Sequence, residues 1–225
     1  MAKNNYKLII WDFDGVIADS EKLWVESHRK FFNEQFKTNW SFEDINKMFG
    51  GTGDATKRKI LDEMGYKTTD KFWQDILDYD MNYMQEHGLE IMPDVLEILS
   101  DRRFKHCIAT GGVLEKTLIK IKTIGIEKYI PLSDVFTIDM VEHGKPAPDL
   151  FLLAAGMMCE DPENCLVIED SIPGMTAAQN AEMDVIAFLG SEMYQNEEYE
   201  KRVRDLGIEN IFYSMKDVKK YLSEN

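Results

Sequence analysis

Residues 6–15 read YKLIIWDFDG, an apolar and partly β-branched run that ends abruptly at two aspartates and a glycine. A short run without polar alternation is typical of a strand that is buried on both faces of a parallel sheet. The residues DFDG then predict a loop at the carboxyl end of that strand. Because ligands of open α/β sheets bind outside the carboxyl ends of the strands, this loop is the first place to expect a functional site.

Downstream of Pro93 the sequence alternates between helical and strand patterns. Helices are predicted over 93–100, 114–124, 149–158, 175–183 and 218–222, and strands over 104–109, 135–138, 165–168 and 185–189, with a last short apolar stretch at Phe212. This alternation predicts an α/β fold with a doubly wound parallel-sheet, Rossmann-like core.

The segment between Ser20 and about His87 has a different pattern of apolar residues. Its apolar residues recur at helical spacing, and no strand pattern interrupts them. We therefore predict an inserted α-helical cap domain over 19–87, with the α/β catalytic core formed by 1–18 and 88–225. Insertions are tolerated where their two ends lie close together, as they do in a loop at one edge of a sheet.

Composition and charge narrow the possible partners. The chain has 44% hydrophobic and 30% charged residues, as ordinary globular proteins do, and a net charge of −15. That charge, without any Lys/Arg-rich patch, argues against nucleic acid and membrane surfaces as partners. A phosphate ester would be repelled as well, so a site for one needs a metal ion or local cations. The apolar runs are too short to span a bilayer and the start is polar, so we expect a cytoplasmic protein.

Polar motifs stand at the ends of four predicted strands: DFDG at 12–15, TGG at 110–112, GKPAPD at 144–149 and EDS at 169–171. Together they direct four carboxylates, a hydroxyl and an ammonium group toward one crevice. Each motif also has a structural explanation, because Asp and Ser commonly form turns and cap helices. Two acids that end a buried strand together favour metal ligation over capping alone.

The stretches DFDGVIADS, ATGG, GKPAPDLF and VIEDSIPG, in this order, resemble the four motifs of the haloacid dehalogenase superfamily. The helical insertion after the first motif resembles that of the C1-capped subgroup, which includes β-phosphoglucomutase and many sugar-phosphate phosphatases. The match spans the chain. The resemblance implies a Mg²⁺-dependent phosphoric monoester hydrolase that acts on a small phosphorylated metabolite through an aspartyl-phosphate intermediate.

The resemblance also implies a role for each catalytic residue. Asp12 would be the nucleophile, and Asp14 would protonate the leaving alkoxide and later deprotonate the attacking water. Lys145 would offset the negative charge of the nucleophile and the phosphoryl group. The Thr110 hydroxyl and the Gly111 amide would bind a phosphoryl oxygen.

The same resemblance implies the metal ligands. Mg²⁺ would be held by the Asp12 carboxylate, the Asp14 backbone carbonyl and Asp170, with Glu169 in support. An all-oxygen set of this kind suits a hard divalent cation that keeps several waters.

Substrate selection is expected in the cap, with Trp24, Gly51 and Thr52 as candidate contacts, although packing explains Trp24 equally well. Where β-phosphoglucomutase uses a cap histidine and a cap arginine, this chain has Trp24 at the histidine's place and, near the arginine's place, Gly53 or at best its neighbours Thr52 and Lys57. Loss of a cation that would hold a second phosphate favours hydrolysis. A phosphosugar mutase and a non-catalytic metabolite-binding relative remain alternatives. A monomer is expected, and the patterns do not choose among phosphorylated substrates.

Overall fold

The computed structural model describes residues 6–50, 52, 54–191 and 194–224. The helices are α1 (Glu21–Phe36), α2 (Phe42–Phe49), α3 (Asp54–Glu63), α4 (Asp70–His87), α5 (Val95–Leu99), α6 (Leu114–Ile124), α7 (Asp149–Met157), α8 (Ile172–Asn180), α9 (Glu197–Asp205) and α10 (Met215–Glu224). The strands are β1 (Leu8–Trp11), β2 (Ala18–Asp19), β3 (Glu90–Ile91), β4 (Lys105–Thr110), β5 (Val135–Thr137), β6 (Cys165–Glu169), β7 (Asp184–Phe188) and β8 (Ile211–Phe212). None of the helices in these described ranges combines the length and the apolar character that a bilayer crossing requires.

Six strands form a parallel sheet in the order β5–β4–β1–β6–β7–β8. Strand β1 lies between β4 and β6, and its four residues are fully buried, as its unbroken apolar sequence indicates. The chain winds outward from β1 in both directions, so the switch of winding direction lies beside this strand. The predicted doubly wound α/β fold is confirmed.

Packing on one face of the sheet joins β1, β4 and β6 to α7 and α8. Leu8, Ile10, Cys107 and Val167 are completely buried there, against Phe151 and other apolar side chains of the two helices. The continuous core holds the carboxyl ends of β1, β4 and β6 in fixed register, and these ends carry three of the four motifs.

The structure differs locally from the sequence-based predictions. Helix α8 begins at Ile172, three residues before the predicted start, because Ser171 caps it by accepting a hydrogen bond from the Gly174 amide at 3.1 Å. Pro173 fits in the first turn of a helix, where its missing N–H is not needed. The antiparallel pair β2–β3 was not predicted, because strands of two residues are too short to show a pattern.

The chain divides into two compact units, Met1–Asp19 with Glu90–Asn225 and Ser20–Leu89. The second unit consists of α1–α4. Its core is a cluster of aromatic rings, in which Phe32 contacts Phe31, Phe49 and Phe72 with centroid distances of 5.2–6.2 Å. Aromatic residues that face inward therefore contribute to the helical periodicity of this segment.

Candidate active site

Asp12 lies at the end of the central strand. Its amide continues the sheet by donating to the Ile168 carbonyl at 3.0 Å, and the residue is only 7% exposed. The loop then turns sharply: the Phe13 carbonyl accepts hydrogen bonds from the amides of Ile17 and Ala18, and Gly15 has a φ of +81°. A side chain at residue 15 would be strained in this left-handed conformation. The sequence DFDG thus fixes the nucleophile candidate at the sheet edge.

Lys145 reaches this edge from the loop that follows β5. Its ammonium nitrogen lies 2.5 Å from Asp12 Oδ1 and 2.6 Å from Glu169 Oε1, and its side chain is almost completely buried. Three predicted site residues are therefore brought together by ion pairs. Charge-assisted hydrogen bonds of this kind hold a lysine in one geometry more firmly than solvent contacts do.

Glu169 is held from its other side by the start of α8. Its Oε2 accepts hydrogen bonds from the Ser171 amide at 2.7 Å and from the Ser171 hydroxyl at 2.9 Å. The carboxylate therefore orients Lys145, which in turn contacts Asp12. Sequence analysis gave Glu169 only a supporting metal role and did not identify this orienting one. The adjacent Ser171 at a helix N-terminus was the available signal.

Asp12, Glu169 and Asp170 form a buried acidic group in which one ligand oxygen from each lies within 4.8 Å of the others. The Asp14 carboxylate is not a member of this group within the described ranges; the family resemblance assigns metal binding to its backbone carbonyl instead. Buried oxygen donors at this spacing suit Mg²⁺ or another hard divalent cation.

Charge balance at the site also fits a divalent cation. Asp12, Asp14, Glu169 and Asp170 contribute four negative charges when ionised. Two lysines contact this set, Lys145 as described and Lys120, which forms an ion pair with Asp14. Two negative charges are left over among these six residues, and burial makes such an excess unfavourable without a cation.

The pKa values of Asp12 and Lys145 reflect the excess of negative charge at the site. Burial raises the pKa of the Asp12 carboxyl from 3.8 to about 7, although the Lys145 ammonium opposes the shift, and the charges of Glu169 and Asp14 add to it. Burial by itself lowers the pKa of Lys145, but the attraction of Asp12 and Glu169 is stronger and the net shift is upward. Lys145 is therefore a permanent positive charge, whereas ionised Asp12 gains from a further cation nearby.

Thr110 ends β4 and is 2% exposed. Its Oγ1 accepts a hydrogen bond from the Gly112 amide at 3.2 Å, so the hydroxyl proton can still be donated to a ligand. Gly111 is exposed, and apart from its chain neighbours no heavy atom of the described residues lies within 4 Å of the position that a Cβ there would take. Both features suit the predicted phosphate contacts, which stay predictions.

The helical unit carries the other candidates. Trp24 is half-buried in α1, and the Thr52 hydroxyl donates to the Phe49 carbonyl at 2.7 Å, so its proton is used within its own loop. Phe49 is 3% exposed and packs in the aromatic cluster. Gly51 lies outside the described residues. Substrate contact by Trp24, Gly51 and Thr52 stays a prediction.

Lys120 is a site residue that sequence analysis did not identify. It lies on α6, is 6% exposed, and pairs with Asp14, which is 106 positions away in the sequence. The available signal was its position on the buried face of an amphipathic helix, between Thr117 and Ile121.

Comparison with known proteins identifies the family to which the chain is similar. A sequence profile of the haloacid dehalogenase-like hydrolase family matches residues 9–188. A phosphorylated carbohydrates phosphatase of Thermotoga maritima is 29% identical over 182 residues, which cover 79% of this chain and 82% of that protein. The fructose-1-phosphate phosphatase YqaB of Escherichia coli is 30% identical over 186 residues, 80% and 95% of the two chains. In fold, the chain is similar to a haloacid dehalogenase-like protein of unknown function from Agrobacterium tumefaciens, with a TM-score of 0.83, 24% identity and 97% and 98% coverage.

Proposed function

The chain belongs to the haloacid dehalogenase-like hydrolase family, and we propose that it hydrolyses a small sugar-phosphate-type monoester through an aspartyl-phosphate on Asp12. The observation that carries this proposal is the contact of a buried lysine with a buried carboxylate, Lys145 with Asp12, at the carboxyl end of the central strand. The two relatives named as phosphatases of phosphorylated carbohydrates support the substrate class.

In the first half of the reaction an Asp12 carboxylate oxygen attacks phosphorus, and the bond between phosphorus and the ester oxygen breaks. Asp14 gives its proton to the departing alkoxide, which leaves as the alcohol. In the second half Asp14 takes a proton from a water molecule, which attacks the phosphorus of the aspartyl-phosphate. The bond between phosphorus and the Asp12 oxygen breaks, inorganic phosphate is released, and the Asp12 carboxylate is restored.

Fixed donors around Asp12 lower the cost of this transfer. Lys145 offsets the charge on Asp12 and on the phosphoryl oxygens, and Glu169 keeps its ammonium group in place. The Thr110 hydroxyl and the Gly111 amide would bind a phosphoryl oxygen. Donors that are oriented before the reaction stabilise a transition state without the cost of reorganising solvent.

Proteins of this family generally use Mg²⁺, and the residues present fit it. We propose that the Asp12 carboxylate, the Asp14 backbone carbonyl and Asp170 hold the ion, with Glu169 in support. When bound, Mg²⁺ supplies positive charge to the phosphoryl oxygens, so that an anionic nucleophile can approach a dianion.

We further propose that residues 1–18 and 88–225 carry the chemistry, whereas residues 19–87 select the substrate, with Trp24, Gly51 and Thr52 as candidate contacts. A small-molecule phosphate ester is the partner, and a monomer is the proposed state. Substitution of Trp24 by Ala should then change the ranking of substrates rather than abolish hydrolysis of all of them.

The decisive test is phosphate release from a panel of phosphorylated sugars, polyols and nucleotides, with Mg²⁺ or with a chelator. Wild type is compared with Asp12→Asn and with Asp75→Asn, a matched change on an exposed face of α4. We expect metal-dependent release by wild type and Asp75→Asn, and a loss of about 10³-fold or more in Asp12→Asn. Normal release by Asp12→Asn would overturn the nucleophile. Isomerisation without release would indicate a mutase, and no reaction with any compound would indicate a binding protein.

A further inference from the structure

Helix α6 places a charged side chain where its pattern calls for an apolar one. Its buried residues are Thr117, Lys120 and Ile121, which share one face of the helix. Lys122, two residues after Lys120, is on the exposed face of the same helix. Lysine is almost never fully buried unless its charge is compensated. The burial of Lys120 therefore needs a specific partner.

The partner is the first motif. The Lys120 ammonium forms a hydrogen-bonded ion pair with Asp14 Oδ2, and it lies 5.2 Å from the ring centroid of Phe13. One nitrogen thus contacts two consecutive residues of the loop that carries the nucleophile candidate. The Lys120 side chain is 8% exposed and that of Asp14 is 25% exposed, so the lysine approaches from the interior and the carboxylate stays accessible.

Each aspartate of the DFD sequence consequently has its own lysine, supplied by a different part of the fold. Lys145 comes from the loop after β5 and contacts Asp12, whereas Lys120 comes from α6 and contacts Asp14. The two lysines are not interchangeable, because they bind different carboxylates.

We propose that Lys120 is a positioning residue that holds the Asp14 carboxylate in the orientation it needs for both proton transfers; this proposal rests on the proposed function. A general acid or base works only within hydrogen-bond reach of its substrate proton, and an unrestrained aspartate on a loop has several rotamers. An ammonium group bound to one carboxylate oxygen restricts that rotation. Lys120 acts through Asp14 and does not itself touch the reacting atoms.

The test uses the full chain and the best substrate found for wild type. Lys120→Met keeps the length of the side chain and removes its charge. We expect kcat to fall about 10- to 100-fold with KM changed less than about 3-fold, because Asp14 acts in the transition state and not in substrate binding. Lys120→Arg keeps the charge and the donors, and it should recover most of the activity. Lys122→Met is the control and should match wild type.

A double-mutant cycle separates positioning from a merely structural role. If Lys120 acts through Asp14, adding Lys120→Met to Asp14→Asn should not lower kcat further. The same fold-loss in both backgrounds would overturn the proposal, and so would a Lys120→Met enzyme with wild-type kcat. Thermal melting of all four proteins identifies any loss that comes from unfolding, and Lys120→Arg gives the answer if Lys120→Met does not fold. Absence of phosphate release by wild type would overturn the proposed function itself, which is a different result.

Discussion

The carboxylate of Glu169 lies so close over Gly174 that a Cβ atom on residue 174 would be 1.7 Å from Oε1. Gly174 is in the first turn of α8, and its amide donates to the Ser171 hydroxyl, which in turn donates to Glu169 Oε2. The missing side chain at residue 174 thus makes room for the group that orients Lys145. The start of α8 serves the active site as well as the fold.

We therefore predict that Gly174→Ala lowers activity, although alanine normally stabilises a helix by about 1 kcal/mol relative to glycine. The added methyl group must displace Glu169, and overpacking of this kind costs about 1–3 kcal/mol. Phosphate release should fall about tenfold or more as Lys145 loses its anchor. Gly156→Ala is the matched control, because residue 156 is an exposed helical glycine with open space around it. Equal activity of the two variants would contradict this account of Glu169.

Sequence patterns predicted the elements that local chemistry determines. Helix α6 has the predicted bounds because Gly125, with a φ of +68°, ends it in a left-handed conformation that few other residues adopt. The buried strand before Asp12 and the alternation after Pro93 led to the correct sheet. The grouping of Asp12, Lys145 and Glu169 also followed, because the carboxyl ends of parallel strands share one edge.

Long-range pairings could not be predicted from the same patterns. Nothing near Lys120 in the sequence indicates that it meets Asp14, and the periodicity of α6 shows only that one lysine is on the wrong face. The orienting role of Glu169 depends on Ser171 and Gly174, which both precede the start that was predicted for helix α8. Lys120 and Glu169 orient other side chains of the site, and a sequence motif does not indicate an orienting role of this kind.

Acid should destabilise the fold through His106, which lies on β4 beside the central strand and is 8% exposed. Trp11 Nε1–H donates to its Nδ1 at 3.2 Å, so Nε2 carries the proton and donates to the Asp101 carbonyl at 3.2 Å. Burial lowers the pKa of His106 below its usual 6.5, and a protonated Nδ1 could not accept from Trp11. The contribution of neutral His106 to the free energy of unfolding is fully present above pH 6.5 and is lost as the pH falls from there toward the lowered pKa.

The measurement is the free energy of unfolding by urea at pH 7.5 and pH 5.5, for wild type and His106→Gln. The variant cannot titrate at this position, so its loss of stability between the two pH values should be smaller than that of wild type. The difference is limited to about 1.4 kcal/mol per pH unit for one proton. An identical pH dependence of the two proteins would show that His106 does not contribute.

The helical unit contains a buried polar group that we expect to govern its stability. Asp80 on α4 accepts a hydrogen bond from the Ser27 hydroxyl at 2.5 Å and contacts His28 Nε2 at 3.0 Å, and all three residues are buried. Asp80→Ala leaves two buried polar groups without this partner, each at a cost of about 1–3 kcal/mol. Asp80→Asn should lose less stability than Asp80→Ala, because its side-chain oxygen can still accept the hydrogen bond from Ser27. Asp75→Ala, on the exposed face of α4, should leave the urea midpoint unchanged, and an equal effect of Asp75→Ala and Asp80→Ala would refute the prediction.

Tyr199 should influence metal binding without being a ligand. Its hydroxyl donates to the backbone carbonyl of Asp170 at 2.8 Å, and its ring lies 4.7 Å from that of Tyr194. Tyr199→Phe keeps the ring contact and removes the restraint on Asp170, so Mg²⁺ affinity measured by titration calorimetry should fall by up to about tenfold. Tyr213→Phe is the control, since that exposed hydroxyl pairs with Glu200 and not with a residue of the acidic group. If Tyr199→Phe binds Mg²⁺ as tightly as Tyr213→Phe does, either Asp170 needs no support from α9 or Asp170 does not hold the ion. Asp170→Ala in the same titration distinguishes these two explanations, because its Mg²⁺ affinity falls only if Asp170 is a ligand.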